Sequence, residues 1–274
     1  MDLNSLNHNL NGLVASALDV FRRNRTVITA TAAVVAAGST ISIFSRIISD
    51  YRAWHALGPN GVPLNPFGYV AQSIAGLVAR RDVRDPKPYD DAKLSETMYG
   101  PITRRSFFPG GRSLPRRRDP RPDIAPYAAP HRQSSQKGTS AMRARQESFF
   151  YALVSANPSL FQIKPSNLEG PLFKGLWLQD GLPVRRELRG TNGEFAHVHG
   201  EGSTHLVFSL ADSAAAIENG WAERHPMSGV GRIMTWGYVM VYAPRDEEDF
   251  KVWRQFIITS AKYALGGEAE VVMP

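Results

Sequence analysis

The stretch that decides the fold is "GEFAHVHGEGSTHLVFSL", residues 193–210. Its runs "GEFAHVH" and "HLVFSL" flank the glycine-rich turn "GEGST", a pattern that predicts two antiparallel strands joined as a hairpin. A further strand is predicted over "TWGYVMVYAP", residues 235–244. Helical patterns surround these strands at residues 141–158, 211–220 (with Asp212 as the expected cap) and 245–267. The sequence therefore predicts an α+β fold in which helices cover one side of an antiparallel sheet.

Three histidines fall within nine residues of this hairpin, although the whole chain has only seven. Because side chains alternate between the faces of a strand, His197 and His199 share one face, and Glu194 is expected on the other. The tight turn brings His205 back beside His199. A fourth histidine, His225, precedes a proline in "GWAERHP", which favours an extended backbone there. We predict that these four imidazole rings converge.

Three roles are open for such a group of histidines. The pKa of imidazole lies near neutrality, so the rings could exchange protons with a substrate, and we favour this acid–base role. Imidazole also binds zinc, iron and copper. A cupin-like motif that begins H-x-H needs a glutamate four or five residues on, however, and Glu201 comes too early, so no metal ligand is assigned. The third role is structural, in a binding module without catalysis.

Four other side chains complete the predicted site. Arg224 lies next to His225 and would offer a fixed cation to an enolate or a carboxylate, with an ion pair to Glu223 as the alternative. Trp221 is typical of a core residue, but it is assigned to substrate binding together with Glu194 and Glu223.

The amino-terminal part of the chain carries a candidate membrane segment. The stretch "TVITATAAVVAAGSTISIF" has no charged residue, and as a helix it just spans a hydrocarbon core of about 30 Å. We predict an amino-terminal segment over residues 1–25 and a single transmembrane anchor over residues 26–46; a buried core helix and a cleaved signal peptide are the alternatives. The juxtamembrane residues 47–81 contain a shorter apolar run from Phe67, which predicts an interfacial helix or one packed on the domain.

The positive charge of the chain is concentrated in one segment. The net charge is +7, and residues 80–145 hold sixteen Lys and Arg against seven Asp and Glu. We predict a basic, irregular, solvated linker over residues 82–140, beside anionic membrane lipid, and a folded domain over residues 141–274. No nucleic-acid-binding motif accompanies the charge, so nucleic acid is not an expected partner. The chain has no cysteine, which excludes disulfides and thiolate chemistry.

Four short motifs resemble those of the fungal luciferase family. They are A-H-x-H, H-L, G-W-x-x-R-H-P and Y-A-P-R, and they stand at Ala196–His199, His205–Leu206, Gly220–Pro226 and Tyr242–Arg245. The resemblance is specific over about residues 193–262 and is absent from the basic segment.

The resemblance implies an oxygenase that acts on 3-hydroxyhispidin or a related enolisable hydroxypyrone or phenolic. Molecular oxygen would be the co-substrate, and no metal, flavin or ATP would be needed. The four histidines would supply the base and hydrogen bonds, and Arg224 the cation. The turn between His199 and His205 is shorter than in luminous members, so light emission is not predicted. Residues 1–46 would hold the protein as a single-pass membrane protein, with the endoplasmic reticulum as the expected location; the oligomeric state is left open.

Overall fold

A computed structural model describes residues 3–109, 114–231 and 234–274. The chain forms two units, Met1–Trp54 and His55–Pro274. The boundary falls near the carboxyl end of a long helix.

The first unit is helical. It contains α1 (Leu3–Arg23) and most of α2 (Arg25–His55). The apolar stretch of α2 is not buried against protein, and this helix is long and apolar enough to cross a membrane. Length and composition therefore agree with the predicted anchor, although a signal sequence meets the same criterion.

The second unit is built on a six-stranded antiparallel sheet, counted over the described residues. The strands lie in the order β1-β2-β3-β4-β6-β5, so the predicted hairpin β3–β4 forms the middle of the sheet. The α+β class with an antiparallel sheet is confirmed. In chain order the strands are β1 (Phe161–Ser166), β2 (Gly170–Leu178), β3 (Glu194–Val198), β4 (Thr204–Val207), β5 (Ala222–Arg224) and β6 (Tyr238–Val241).

The sequence pattern does not predict β1, β2 or β5. β1 includes Pro165, which a strand tolerates here because β1 lies at the edge of the sheet. β5 has only three residues and lies at the opposite edge. β1 and β5 therefore carry too little alternation to be recognised without their neighbours, and the nine-residue β2 is interrupted by Gly175.

Two helices cover one face of the sheet, as predicted. They are α4 (Ser140–Ala156) and α6 (Glu247–Ala264). Trp253 of α6 donates a hydrogen bond from Nε1 to Thr204 Oγ1 of β4 (2.8 Å), and Phe150 of α4 stacks on its indole ring. Since Thr204 and His205 are neighbours on one strand, the histidine side chain points to the opposite face.

The helix α5 (Leu210–Glu218) follows β4 directly. Its cap is Ser209, whose hydroxyl accepts a hydrogen bond from the backbone N–H of Asp212. The prediction of Asp212 as the cap is wrong, because this carboxylate accepts hydrogen bonds from Ser106 and from the backbone of Phe107.

The described part of residues 82–140 has short helical turns at Lys87–Asp90, Leu94–Tyr99 and Pro101–Arg104, and it packs on the second unit instead of being solvated. Phe108 is buried edge-on against Phe208 and Phe256. The arginines pair with carboxylates of the domain: Arg84 with Glu223, Arg118 with Asp246 and Arg132 with Glu169. Three arginines of this segment are thus paired within the unit.

The helix α3 (Pro66–Val78) leaves its apolar stripe exposed. Its Asn65 cap accepts a hydrogen bond from the backbone N–H of Gly68. Phe67 and Leu77 are each 84% exposed, so the stripe does not pack on the domain. Of the two predictions for this run, packing on the domain is therefore wrong.

The close approach of Gly237 to the backbone of Phe208 can be tested by substitution. A Cβ added there would lie 2.1 Å from Phe208 O, whereas one added at Gly200 meets nothing within 4 Å. We expect Gly237→Ala to lower the free energy of unfolding of the second unit by about 1–3 kcal/mol, because the backbone must shift. The matched control Gly200→Ala should change it by less than about 0.5 kcal/mol. Denaturant unfolding of both variants measures the difference, and equal effects would contradict the packing.

Candidate functional site

The site lies on the sheet face opposite α4 and α6. His197 of β3 pairs directly with His205 of β4, and this row of residues continues to Met240 of β6 and Glu223 of β5. Residues in one such row across a sheet share a face. His199 follows β3 at once, and its ring lies 4.5 Å from that of His205. The hairpin alone therefore places three imidazole groups together.

Two more histidines reach this face from loops. His225 follows β5, and its ring centroid lies 5.1 Å from that of His205. His131 comes from the basic segment and lies 5.4 Å from His205 and 5.0 Å from His225. The predicted convergence of four rings is confirmed, and His131 is an addition. The five-histidine cluster (His131, His197, His199, His205 and His225) is buried, with exposures of 0–4%.

Close contacts between ring nitrogens connect the cluster into a chain. His199 Nε2 lies 3.0 Å from His205 Nδ1, and His197 Nε2 lies 3.4 Å from the same nitrogen. On the other side of the ring, His205 Nε2 lies 3.2 Å from His131 Nδ1. His131 Nε2 ends the chain at Glu223 Oε1, 2.9 Å away.

Glu194 lies on the histidine face, so its predicted position on the other face is wrong. The register of β2 and β3 shifts at this point: Leu176 pairs with Ala196, but Trp177 pairs with Glu194. This β-bulge inserts Phe195 and reverses the alternation. Glu194 Oε1 consequently lies 2.8 Å from His197 Nδ1.

Glu223 belongs to the outer part of the site. Its carboxylate accepts hydrogen bonds from Arg84 Nε (2.8 Å) and from the Tyr242 hydroxyl (2.9 Å), besides the contact with His131. Burial raises the pKa of Glu223, but His131 and Arg84 outweigh burial and lower it to about 2. The side chain is therefore an anion that holds His131 in place.

The structure does not bring Arg224 to the histidines. Arg224 follows Glu223 on β5 and points to the opposite face, where its guanidinium lies 4.6 Å above the Tyr89 ring and 5.3 Å above the Trp236 ring. Its Nη2 donates to the backbone carbonyls of Asp82 and Asp85. The expected ion pair with Glu223 is not formed, since Arg84 takes that position. A direct contact between Arg224 and an enolate at the histidines does not fit this arrangement.

Trp221 is also separate from the cluster. Its Nε1 donates to Pro115 O, and its ring meets Phe256 edge-on. This is a core position, as residue type alone suggests. The cations that do lie near the histidines are Arg84 and Arg132, both from segments that the sequence pattern identifies only as basic. In the sequence, the only indication of His131 and Arg132 as site residues is that they stand side by side in the run "PHR", residues 130–132.

Burial and neighbouring charges give the histidines different proton affinities. Burial lowers the pKa of His197, but the hydrogen bond and charge of Glu194 reverse this, and the pKa is raised overall. The pKa of His199 is lowered by burial, against the opposing charges of Glu169 and Glu201. Burial, together with the neighbouring histidines, holds the pKa of His205 and His225 well below the usual range. These two rings are uncharged at neutral pH.

A small cavity adjoins the cluster through Tyr238. The phenol ring lies 4.8 Å from that of His205 and 5.4 Å from that of His225. Tyr238 also lines a cavity of about 10 Å³, room for about one water molecule, together with Leu168 and Thr191. The cluster thus has a void beside it, smaller than the pockets of about 300–1,000 Å³ that usually hold ligands.

The arrangement supports two kinds of chemistry. A dry group of imidazole nitrogens can take protons from a bound substrate. It can also hold a metal ion: the ligand atoms of His131, His205 and His225 lie within 4.8 Å of one another, and so do those of His197, His199 and His205.

Known proteins resemble this chain over most of its length. Residues 192–261, which include the hairpin and α5, match the family model of the luciferase domain. The luciferase of Armillaria ostoyae is 27% identical over 92% of this chain and 93% of its own length. The luciferase of Neonothopanus nambi is 25% identical over 80% of this chain and 82% of its own length. No solved structure matches. The resemblance to the fungal luciferase family is therefore confirmed.

The ion pairs of Glu223 generate a prediction about acid stability. Its pKa is about 2 in the folded protein and 4.5 as the ordinary value, so the stabilisation is fully present above pH 4.5 and is lost as the pH falls towards 2. We expect the wild type to have a higher free energy of unfolding than Glu223→Gln at pH 6. This difference between the two proteins should be about 2–3 kcal/mol smaller at pH 2. Denaturant unfolding across this range measures the difference, and parallel curves would contradict it.

Proposed function

We propose that this relative of the fungal luciferases is a membrane-anchored oxygenase that acts on an enolisable hydroxypyrone or a related phenolic. The observation that carries the proposal is the meeting of five buried histidines in one cluster. The relatives are named luciferases, which are enzymes, and they match nearly the whole chain instead of one motif.

The proposed reaction begins with removal of a proton from the substrate hydroxyl. The enolate that results is electron-rich and transfers electrons to molecular oxygen, and two carbon–oxygen bonds form to give an endoperoxide. Loss of carbon dioxide then breaks the oxygen–oxygen bond, one carbon–carbon bond and the ring carbon–oxygen bond of the lactone, and the ring-opened acid recovers its proton. Electrons move from substrate to oxygen throughout, so no external reductant is required.

The cluster contains suitable groups for the proton transfer. Glu194 accepts the Nδ1 proton of His197, and Ser203 accepts that of His199, so the Nε2 atom of each ring carries a lone pair. These two nitrogens are the proposed proton acceptors. His225 differs, because its Nδ1 accepts a hydrogen bond from the backbone N–H of Met227. Its Nε2 therefore carries the proton, and His225 is the proposed hydrogen-bond donor to the enolate oxygen.

The burial of the cluster supports the same chemistry. Electrostatic stabilisation of an enolate is stronger where water is excluded, and a dry site protects a peroxide from side reactions. The buried Tyr238 ring packs beside His205 and His225 and helps to exclude water from them. Arg224 supports the site from the other side of β5, as a positioning residue for Glu223 and His225.

The proposed membrane attachment uses two elements. α2 spans the hydrocarbon core, and α3 lies in the interface with Phe67 and Leu77 turned towards the lipid. A hydroxypyrone with an aromatic arm is itself apolar and would accumulate in the same phase.

Oxygen uptake tests the proposed reaction. We expect the full-length protein in detergent to consume oxygen and release carbon dioxide with 3-hydroxyhispidin, with light recorded in parallel. His199→Gln should lower the rate at least about 100-fold, because a general base contributes about 10²–10⁴-fold. His55→Gln, at an exposed histidine outside the cluster, is the matched control and should leave the rate unchanged. Absence of uptake by folded wild type with any hydroxypyrone would contradict the proposal.

Sedimentation tests the anchor. We expect the intact chain to sediment with membranes after an alkaline carbonate wash, because α2 is integral. Deletion of residues 1–46 should release part of the protein, and adding Leu77→Glu to the deletion should release the rest, since a carboxylate on α3 opposes interfacial binding. Full solubility of the intact chain would rule out the anchor.

A further inference from the structure

The positions of protons in the histidine cluster can be assigned from its ends. A carboxylate only accepts hydrogen bonds, so His197 must donate from Nδ1 to Glu194. Ser203 gives its hydroxyl proton to Glu201, so the same hydroxyl oxygen must accept from His199 Nδ1. When both rings are neutral, each has a bare Nε2, and a second proton on His197 would still leave His199 Nε2 facing His205 Nδ1 without a proton between them. The two lone pairs meet at one point, His205 Nδ1.

His205 Nδ1 cannot satisfy both lone pairs. It lies 3.0 Å from His199 Nε2 and 3.4 Å from His197 Nε2, and it carries at most one proton. Either one or both of the bare nitrogens face another buried acceptor without a proton between them. Buried polar atoms of that kind are costly and uncommon in native proteins.

The contacts of His205 Nε2 show the same shortage of ring protons. If His205 Nδ1 carries the proton, its Nε2 is bare and His131 must donate to it from Nδ1. His131 Nε2 must donate as well, because it faces the carboxylate of Glu223. His131 would then be a doubly protonated cation at 2% exposure. If His205 Nε2 carries the proton instead, His205 Nδ1 is bare as well. It then faces the bare Nε2 atoms of His197 and His199.

A cation between these three nitrogens removes the conflict. His205 then donates from Nε2 to His131 Nδ1, and His131 donates from Nε2 to Glu223. Every ring is neutral, and every ring proton in this chain has an acceptor. We propose that His197 Nε2, His199 Nε2 and His205 Nδ1 bind a divalent first-row transition-metal ion.

The distances fit such an ion. Nitrogen ligands at about 2.1 Å from a metal are separated by about 3.0–3.4 Å at octahedral or tetrahedral angles. The separations of 3.0 and 3.4 Å measured from His205 Nδ1 lie in that range. Glu169 Oε1 lies 3.9 Å from His199 Nε2 and offers an oxygen beside the same atoms. The set of three imidazoles suits zinc or iron.

The outer contacts also have the form found around metal sites. A ligating histidine commonly donates its second ring N–H to a carboxylate or another acceptor, which orients the ring. Glu194 does this for His197, and Ser203 with Glu201 does it for His199. His131 with Glu223 does it for His205. Each proposed ligand thus has its own buried acceptor chain.

The same reasoning excludes His225 as a ligand. His225 Nδ1 accepts the backbone N–H of Met227, so Nε2 holds the ring proton of the neutral imidazole. The second group of nearby histidines, His131 with His205 and His225, is therefore unsuitable despite its similar distances. His225→Gln becomes the matched control for the ligand variants.

This site goes beyond the proposed function and differs from the expectation that no metal takes part. A bound ion would contact the substrate oxygen and lower the pKa of its hydroxyl. His197 and His199 would then act through the ion instead of taking the proton themselves. The metal site does not depend on whether the substrate is a hydroxypyrone.

The test measures metal in the full-length protein. Protein purified in detergent is analysed for metals, stripped with a chelator and titrated with zinc alone and with cobalt alone. We expect one ion per chain and cobalt absorption bands typical of nitrogen coordination. His199→Gln should weaken zinc binding more than 100-fold, Glu194→Gln about 10- to 100-fold, and His225→Gln less than about threefold.

Each outcome decides the proposal. Folding of the variants is checked by circular dichroism, and the wild-type cobalt titration does not depend on any variant. Wild type that takes up neither zinc nor cobalt would overturn the site, as would equal losses in His199→Gln and His225→Gln. Stoichiometric binding without oxygen uptake would support the metal site while contradicting the proposed oxygenase. Oxygen uptake by metal-free protein that also binds no zinc would contradict the metal site and support the proposed oxygenase.

Discussion

The buried imidazole pair at the centre of the sheet, His197 opposite His205, is the constraint on which the site depends. Polar rings without water must find all their hydrogen-bond partners in the protein. The hairpin itself supplies Glu194 to His197 and Ser203 to the neighbouring His199, whereas His131 reaches His205 from the basic segment. The demand for partners is thus met by the hairpin together with a distant stretch of sequence that closes over the same face of the sheet.

The basic segment gains its role from the same demand. An arginine-rich, proline-rich stretch has little tendency to fold alone. Here its cations meet buried carboxylates: Arg84 binds Glu223, and Arg132 binds Glu169. These pairs hold His131 against His205. The segment therefore completes the polar face, while α4 and α6 complete the apolar face with aromatic packing.

Likeness to the fungal luciferases extends well beyond the domain that the family model matches. That model covers residues 192–261, but the Armillaria luciferases match about nine-tenths of the chain. The histidine cluster also draws on residues outside 192–261. Residues outside the domain provide His131, Glu169 and their arginine partners, so the site is incomplete without them.

The sequence by itself determined the hairpin, the α4 and α6 helices and the approach of His197, His199 and His205, because strand alternation and tight turns act over a few residues. The tertiary structure alone decided the rest. A bulge at Phe195 turned Glu194 towards His197, and burial between two aromatic rings took Arg224 away from the histidines. His131 reaches His205 from a segment whose sequence has no periodic pattern. Such contacts depend on how distant segments pack and pair their charges, and no local spacing in the sequence encodes that.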